Sequence, residues 1–362
     1  MPFCLHLSRR LTGAFLIHET KTTAAECEAN SVRPLDRKIP VLQGSCDPSS
    51  AVGAELELVE KNLTLAIRSR EQLLTSIAGH LIHGGGKRVR PLVTLLAFLA
   101  LGGKKTQDIV DIATAIELIH TATLLHDDII DGAETRRGKE SAYKKYGLKS
   151  TLVAGDFLFI KAFEFAGKFD ETVVQWTADA CTLLTEGEML QGFFNRNRKV
   201  TLDDYIEIVK RKTASLFQTG AKVGAYLAGA NSALISVADQ LGLNMGIAFQ
   251  MVDDILDVVG HVELLGKPTG MDLRDGNPSL PIILALHEGQ SAVSEAFECA
   301  HPTESQIAGA IEAIKTGPVI RQAKVLSKGY AETSLQSIKR LPPSPYRNGL
   351  KNMVQLIIDR DF

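Results

Sequence analysis

No two cysteines of the 362-residue chain stand in a CxxC pair. The five that occur, Cys4, Cys27, Cys46, Cys181 and Cys299, are odd in number and widely spaced, which argues against a zinc ribbon or a disulfide framework. They read as reduced thiols in a reducing compartment. An excess of one charge is missing too: 40 Lys and Arg face 42 Asp and Glu, leaving a net charge of −2. No global basic field exists for nucleic acid, and any anion site must be local. The longest apolar run, Pro91 to Leu101, falls short of the ~20 residues that span a bilayer, so no transmembrane anchor is expected. Alternating apolar and polar stretches bounded by turn signals are rare, which disfavours strands.

What is present suits a large helical core. The chain is 45% hydrophobic, and from about Gly53 apolar residues recur at helical spacing, as in Leu56, Val59, Leu63 and Ile67 or Ile109, Ile112, Ile116 and Ile119. An all-α fold is expected, one large helical bundle over residues 51–362 with a central apolar cavity. Residues 1–50 hold three of the cysteines, scattered Pro and Ser, and no sustained period. They are expected to be a disordered extension of a cytoplasmic protein. The first 18 residues lack acids and carry Arg9 and Arg10, so a mitochondrial or plastid transit peptide is the alternative.

The most informative residues are two copies of one acidic pattern, Asp127-Asp128-Ile-Ile-Asp131 and Asp253-Asp254-Ile-Leu-Asp257. On a helix, i and i+4 share a face and i+1 lies about 100° away, so each copy aims three carboxylates into one sector. Like charges at this spacing repel by about 0.2–0.5 kcal/mol on an exposed helix and by more near a core, so they need a cationic partner. Hard oxygen ligands of this kind suit Mg²⁺. An EF-hand would need alternating ligands and a central Gly, and neither copy has them. Glycine follows each copy, at Gly132 and Gly260, which places the carboxylates at helix C-termini, the unfavourable end of the dipole.

Basic residues stand where they could meet a bound anion. Gly84-Gly85-Gly86 leads into Lys87 and Arg90, whose spacing predicts one helix face; the GxxxxGK[ST] spacing of a Walker loop is absent. Arg136 and Arg137 follow the first acidic pattern and, being adjacent, point in different directions. Lys212 and Thr213 lie in a basic cluster, Lys267 in a Gly-Lys-Pro turn, His120 two turns before Asp127, and Gln250 three residues before Asp253. Two acidic clamps, basic fingers and an apolar interior describe a cavity for diphosphates with greasy tails, suited to ionising an allylic diphosphate.

The segments GGGKRVRP, IHTATLLHDDIIDGAETRRG, VAGDFLF, EGEMLQ, KRKTASLF, GIAFQMVDDILD and GKPTGMDLRDGNPSLP, in this order, resemble the trans-isoprenyl diphosphate synthases, or polyprenyl synthetases. The resemblance runs from about residue 55 to the C-terminus. It implies an all-α prenyltransferase fold, a homodimer, three Mg²⁺ per site, and 1'-4 condensation of isopentenyl diphosphate with an allylic diphosphate. It implies metal binding by Asp127, Asp128, Asp131, Asp253, Asp254 and Asp257. Lys87, Arg90, His120 and Arg137 would bind isopentenyl diphosphate, and Arg136, Lys212, Thr213, Gln250 and Lys267 the allylic diphosphate. The late loop departs from the common pattern, with Asn277 and Ser279 where relatives usually have Lys and Thr.

In that family, bulky aromatic residues four and five positions before the first Asp block the growing tail. Here those positions are Thr123 and Ala122, about 6–7.5 Å below Asp127 by helix rise, so a product longer than C20 is expected. Phe157, Phe159 or Phe163 could instead form a deeper floor. The rival readings are a geranylgeranyl or farnesyl diphosphate synthase, a terpene cyclase, which has no use for the second anion subsite, and a non-catalytic subunit, which has no need for all six aspartates. Transient membrane contact is expected on product release.

Overall fold

A computed structural model describes residues 48–260 and 269–359. Lys267 and most of the expected N-terminal extension lie outside the described residues. A 3-10 turn, Pro48–Val52, stands at the expected start of the folded body, with Pro48 and Val52 buried. Then come α1 (Gly53–Ala66), α2 (Gln72–Ile82), α3 (Val89–Ala100) and α4 (Thr106–Ile130), a small hairpin of β1 (Thr135–Arg136) and β2 (Lys139–Glu140), and α5 (Ala142–Tyr146), α6 (Leu148–Ala166) and α7 (Glu171–Phe194). The second half is α8 (Leu202–Val209), a π-helical turn (Lys210–Ala214), α9 (Ser215–Leu227), α10 (Ser232–Val259), α11 (Met271–Asp275), α12 (Leu280–His287), α13 (Ser291–Glu298), α14 (Glu304–Thr316), α15 (Val319–Lys339) and α16 (Pro345–Ile358).

The fold is all-α, as expected. Helix starts follow from local chemistry: Asp170, Asn231 and Ser344 accept from backbone N–H groups at the starts of α7, α10 and α16, and Thr201 with Asp204 forms a capping box on α8. α4 is apolar on nearly every face from Ile109 to Ile119, and such a helix has to be central. It packs on α3 and α6, while α10 packs on α9 and α15. By length and composition α4 and α10 could each cross a membrane, but most of the apolar window of α4 and half of that of α10 is buried inside the bundle.

Both aspartate patterns occupy the ends of these helices. Asp127 and Asp128 lie in the last turn of α4 with Asp131 as its C-terminal cap, and Asp253, Asp254 and Asp257 lie in the last two turns of α10. The C-terminal part of α10 is fixed by Met251, Ile255 and Val258, which pack against Tyr205, Leu280, Ile283, Leu273 and Phe297.

The approach of α10 to the π-helical turn depends on a missing side chain. A Cβ at Gly246 would stand 2.6 Å from Ala214 Cα, a backbone atom that cannot step aside. Gly246→Ala should therefore destabilise the protein by about 1–3 kcal/mol through overpacking, seen as a lower urea midpoint. A midpoint equal to wild type would show that the two elements can separate freely.

Candidate active site

The first aspartate pattern is met by cations from two other elements. Arg136 Nε donates to Asp128 Oδ1 from the hairpin. Lys212 Nζ lies 3.9 Å from Asp127 Oδ1 and also pairs with Glu188 of α7. Burial still dominates: it pushes the Asp127 carboxyl up to about 6, with Lys212 acting against it and Glu188 and Asp131 adding to it. Burial raises Asp128 and Asp131 as well, against the pull of Arg136 on the first and Lys212 on the second.

In the second pattern, Asp254 is held by neutral donors. Asp254 is buried and accepts from Gln250 Nε2 at 2.8 Å, Tyr205 OH at 2.7 Å and Leu280 N–H at 3.1 Å. Burial nonetheless raises its pKa. Asp257, also buried, accepts from Asp272 N–H at 3.2 Å. Gln250 in turn accepts from Thr213 Oγ1 at 2.8 Å. Thr213 follows Lys212, so one relay runs from Asp254 through Gln250 and Thr213 to the cation beside Asp127. The two patterns, 126 residues apart in sequence, thereby belong to one site.

The π-helical turn carries that relay. A Cβ at Gly187 of α7 would lie 2.7 Å from Lys212 N, so glycine there lets α7 approach the turn as Gly246 lets α10 approach it. π turns interrupt the regular phase of a helix and are frequent at functional sites.

A second basic group gathers around the glycine turn. Arg137 Nη1 donates to Gly85 O, and the guanidinium rests against Gly86. Arg137 and Gly138 have φ of 53° and 72°, the two positive values that a two-residue type I′ hairpin turn requires. The residues after Gly132 thus form a hairpin. It sends Arg136 to Asp128 and Arg137 to the glycine turn, the divergence expected of adjacent arginines. Arg90 lies 5.0 Å from the centre of the Phe217 ring, and its Nε is buried without a hydrogen-bond partner among the described residues. Burial lowers the Arg90 pKa, while Glu117 and Asp253 raise it, so Arg90 also senses the second pattern. His120 is held well below the usual histidine range by burial, with Arg90, Arg137, Arg136 and Arg88 adding to it, and is neutral at pH 7.

One expectation needs correction. Lys87 and Arg90 do not share a helix face, because α3 begins only at Val89 and Arg88 before it has φ 45°. The residue that shapes the turn is Arg88, which sequence reading passed over. It donates to Glu117 at 2.9 Å, to Ile82 O at 2.8 Å and to Glu60. Two acids at distant positions were the only sequence signal for it. Lys87 itself is exposed. Glu188 and Tyr205 were also unforeseen, the first inside a quoted motif and the second in none.

A family model described as polyprenyl synthetase matches residues 71–314. The chain belongs to the polyprenyl synthetase family. It is 31% identical over 313 residues to octaprenyl diphosphate synthase of Haemophilus influenzae, covering 85% of this chain and 94% of that protein. It is 32% identical over 300 residues to geranylgeranyl diphosphate synthase of Methanosarcina mazei, covering 81% and 92%. A polyprenyl synthase from Caulobacter crescentus, crystallised with calcium and isoprenyl diphosphate, superposes with a TM-score of 0.84 at 33% identity, covering 89% of this chain and all of that one. The protein is a trans-prenyltransferase, and its substrates are isopentenyl and allylic diphosphates.

Polyprenyl synthetases use Mg²⁺, and the residues here fit it. Asp128 Oδ2 is buried with no hydrogen-bond partner among the described residues, an acceptor that a cation would satisfy. Among the described residues no three acidic, histidine or cysteine side chains converge tightly enough to enclose an ion alone. Mg²⁺ reaches a protein through one or two carboxylates and completes its shell with phosphate oxygens and water.

The raised Asp127 pKa fixes a sign. Between the unfolded value near 3.8 and about 6, the folded protein binds more protons at this group than the unfolded chain. Asp127 therefore costs stability above pH 6, and that cost fades as the pH falls. Without metal, Asp127→Asn should melt at a higher temperature than wild type at pH 7.5, with the gap narrowing below pH 6 and closing as the pH nears the unfolded value of 3.8. A variant less stable than wild type at pH 7.5 would contradict this electrostatic account.

Proposed function

We propose that the protein condenses isopentenyl diphosphate with an allylic diphosphate, head to tail, into an all-trans polyprenyl diphosphate longer than C20. The observation that carries this reading is the relay from Asp254 through Gln250 and Thr213 to Lys212 beside Asp127, with a separate arginine group adjoining it. Two anion subsites at one acidic centre serve a two-substrate transfer. A cyclase would have no use for the second.

Asp127, Asp128 and Asp131 on one side and Asp253, Asp254 and Asp257 on the other are assigned to metal, with three Mg²⁺ per site. When bound, Mg²⁺ neutralises diphosphate charge and assists departure of the leaving group. Arg136, Lys212, Thr213, Gln250 and Lys267 are assigned to the allylic diphosphate. Arg136 and Lys212 already lie against the first carboxylates, so their positive charge is in place where the leaving group's negative charge develops. Lys87, Arg90, His120 and Arg137 are assigned to isopentenyl diphosphate, with His120 acting as a neutral hydrogen-bonding group.

In the reaction, the allylic C–O bond breaks and its electron pair leaves with diphosphate. The alkene of isopentenyl diphosphate attacks the allylic carbon, and a proton then passes to the departed diphosphate. No side-chain base is required.

Product length follows from the turn below Asp127. Thr123 is four residues before Asp127 and so shares its face, partly buried. Ala122 is fully buried four residues before His126, on the face that His126 turns toward Gly155 and Leu152 of α6. Neither position holds an aromatic plug. Phe163 is more than a third exposed, while Phe157 and Phe159 pack against the core.

With Mg²⁺, isopentenyl diphosphate and farnesyl diphosphate, the purified protein should yield a ladder ending at C30 or beyond, read by mass spectrometry after dephosphorylation. Thr123→Phe should shift the end point to C20 or shorter at comparable incorporation. A wild-type end point of C20 would overturn the chain-length assignment, and no incorporation would overturn the reaction.

We also propose a cytoplasmic homodimer, with transient membrane contact on product release. The free thiols of Cys181 and Cys299 support the compartment. The dimer is supported by apolar side chains left open on two neighbouring helices, Leu152, Val153 and Ile160 of α6 and Met189 and Phe193 of α7, with Ile160 at 61% and Phe193 at 71% exposure. Ile160→Asp should shift the protein to a monomer by sedimentation. A wild type that is itself monomeric at micromolar concentration would refute the dimer.

A further inference from the structure

Arg196, between α7 and α8, belongs to neither aspartate pattern nor either basic group. Its φ is 55°, a left-handed value that a long side chain seldom adopts, so its surroundings hold it there. Its guanidinium donates from Nη2 to Arg274 O at 2.6 Å, and from Nη1 to Phe297 O at 3.4 Å and to Cys299 O. These carbonyls close α11 and α13, where helix ends leave acceptors without intrahelical donors. The Arg196 backbone N–H donates to Gly276 O at 2.9 Å, and a Cβ at Gly276 would collide with Arg196 Cγ. One turn and a half earlier, Gln191 Nε2 donates to Asn277 Oδ1 at 3.0 Å.

The segment gripped in this way is the one whose backbone serves the second aspartate pattern. Asp272 N–H donates to Asp257 Oδ2, Leu280 N–H to Asp254 Oδ2, and Gly270 N–H to Asp257 O at 2.8 Å. α11 is short and lies between two left-handed glycines, Gly270 and Gly276, so it has little stiffness of its own.

We propose that Arg196 is a positioning residue for the second metal-binding pattern. By tying the ends of α11 and α13 to the end of α7, it keeps the Asp272 and Leu280 N–H groups aimed at Asp257 and Asp254. It thereby sets how tightly that side of the site takes Mg²⁺ with a diphosphate, without touching substrate. Lysine would keep the charge but not the fork that reaches three carbonyls at once. The inference rests on the prenyltransferase reading of the site.

The test compares wild type with Arg196→Gln and Arg196→Lys. Three readouts are followed: thermal stabilisation by Mg²⁺ plus inorganic diphosphate, amide hydrogen exchange at Asp272 and Leu280, and KM for each substrate. Arg196→Gln should keep its helical circular dichroism, lose protection at both amides, and need about 10-fold more Mg²⁺ for half the thermal shift. Its KM for the allylic diphosphate should rise, while that for isopentenyl diphosphate stays within about twofold; Arg196→Lys should fall between. Wild-type Mg²⁺ demand in Arg196→Gln, or equal rises in both KM values, would overturn the proposal. Should Arg196→Gln fail to fold, Gln191→Leu should show the same split at smaller amplitude, and equal KM shifts there would overturn it as well. Failure of the prenyltransferase reading would show separately, as wild type that binds Mg²⁺ and diphosphate but does not elongate.

Discussion

Six carboxylates at the ends of two buried helices set the terms for the rest of the structure. Burial acts against their charge, and the raised pKa values of Asp127, Asp128, Asp131 and Asp254 record it; the negative ends of the helix dipoles oppose the charge further. A fold that retains such groups must either surround them with compensating charge and donors or leave them ready for cations. This chain does both. Arg136, Lys212 and the donors around Asp254 hold the carboxylates, and an unsatisfied oxygen on Asp128 remains for an ion.

The two patterns are alike in sequence and different in environment. The first is faced by long cationic side chains that can turn toward an incoming diphosphate. The second is pinned by a tyrosine, an amide side chain and two backbone N–H groups, none of which carries charge. Long cations thus lie against the first pattern, while neutral donors fix Asp254 and Asp257 of the second. For a reaction in which a diphosphate departs, this places the adaptable cations where negative charge grows and keeps the opposite wall constant.

The helical fold and the aspartate patterns could be read from sequence because each rests on local periodicity. The apolar faces of α4 and α10 and the i, i+1, i+4 acid spacing are properties of a few consecutive turns. The error over Lys87 and Arg90 arose from extending that logic across a turn whose shape depends on distant residues, Glu60 and Glu117, through Arg88. The hairpin was missed because its Arg137-Gly138 turn needs a positive φ on an arginine whose side chain reaches the distant Gly85. Tyr205, Glu188 and Arg196 were invisible for a related reason: their partners are Asp254, 49 residues from Tyr205, the Lys212 side chain on another element, and backbone atoms that no sequence pattern marks.

The π-helical turn shows how one local irregularity can unite these long-range contacts. α8, the turn and α9 follow one another without a break, so a regular helix there would set Lys212 and Thr213 about 100° apart on a fixed phase. Widening the backbone over Lys210–Ala214 changes that phase where the two side chains must serve different partners, Asp127 on α4 and Gln250 on α10. The wider turn needs room against its neighbours, and Gly187 and Gly246 supply it by omitting side chains from α7 and α10. Four segments far apart in sequence therefore depend on one another: the glycines admit the turn, the turn aims Lys212 and Thr213, and those two side chains link the acidic helix ends into a single site.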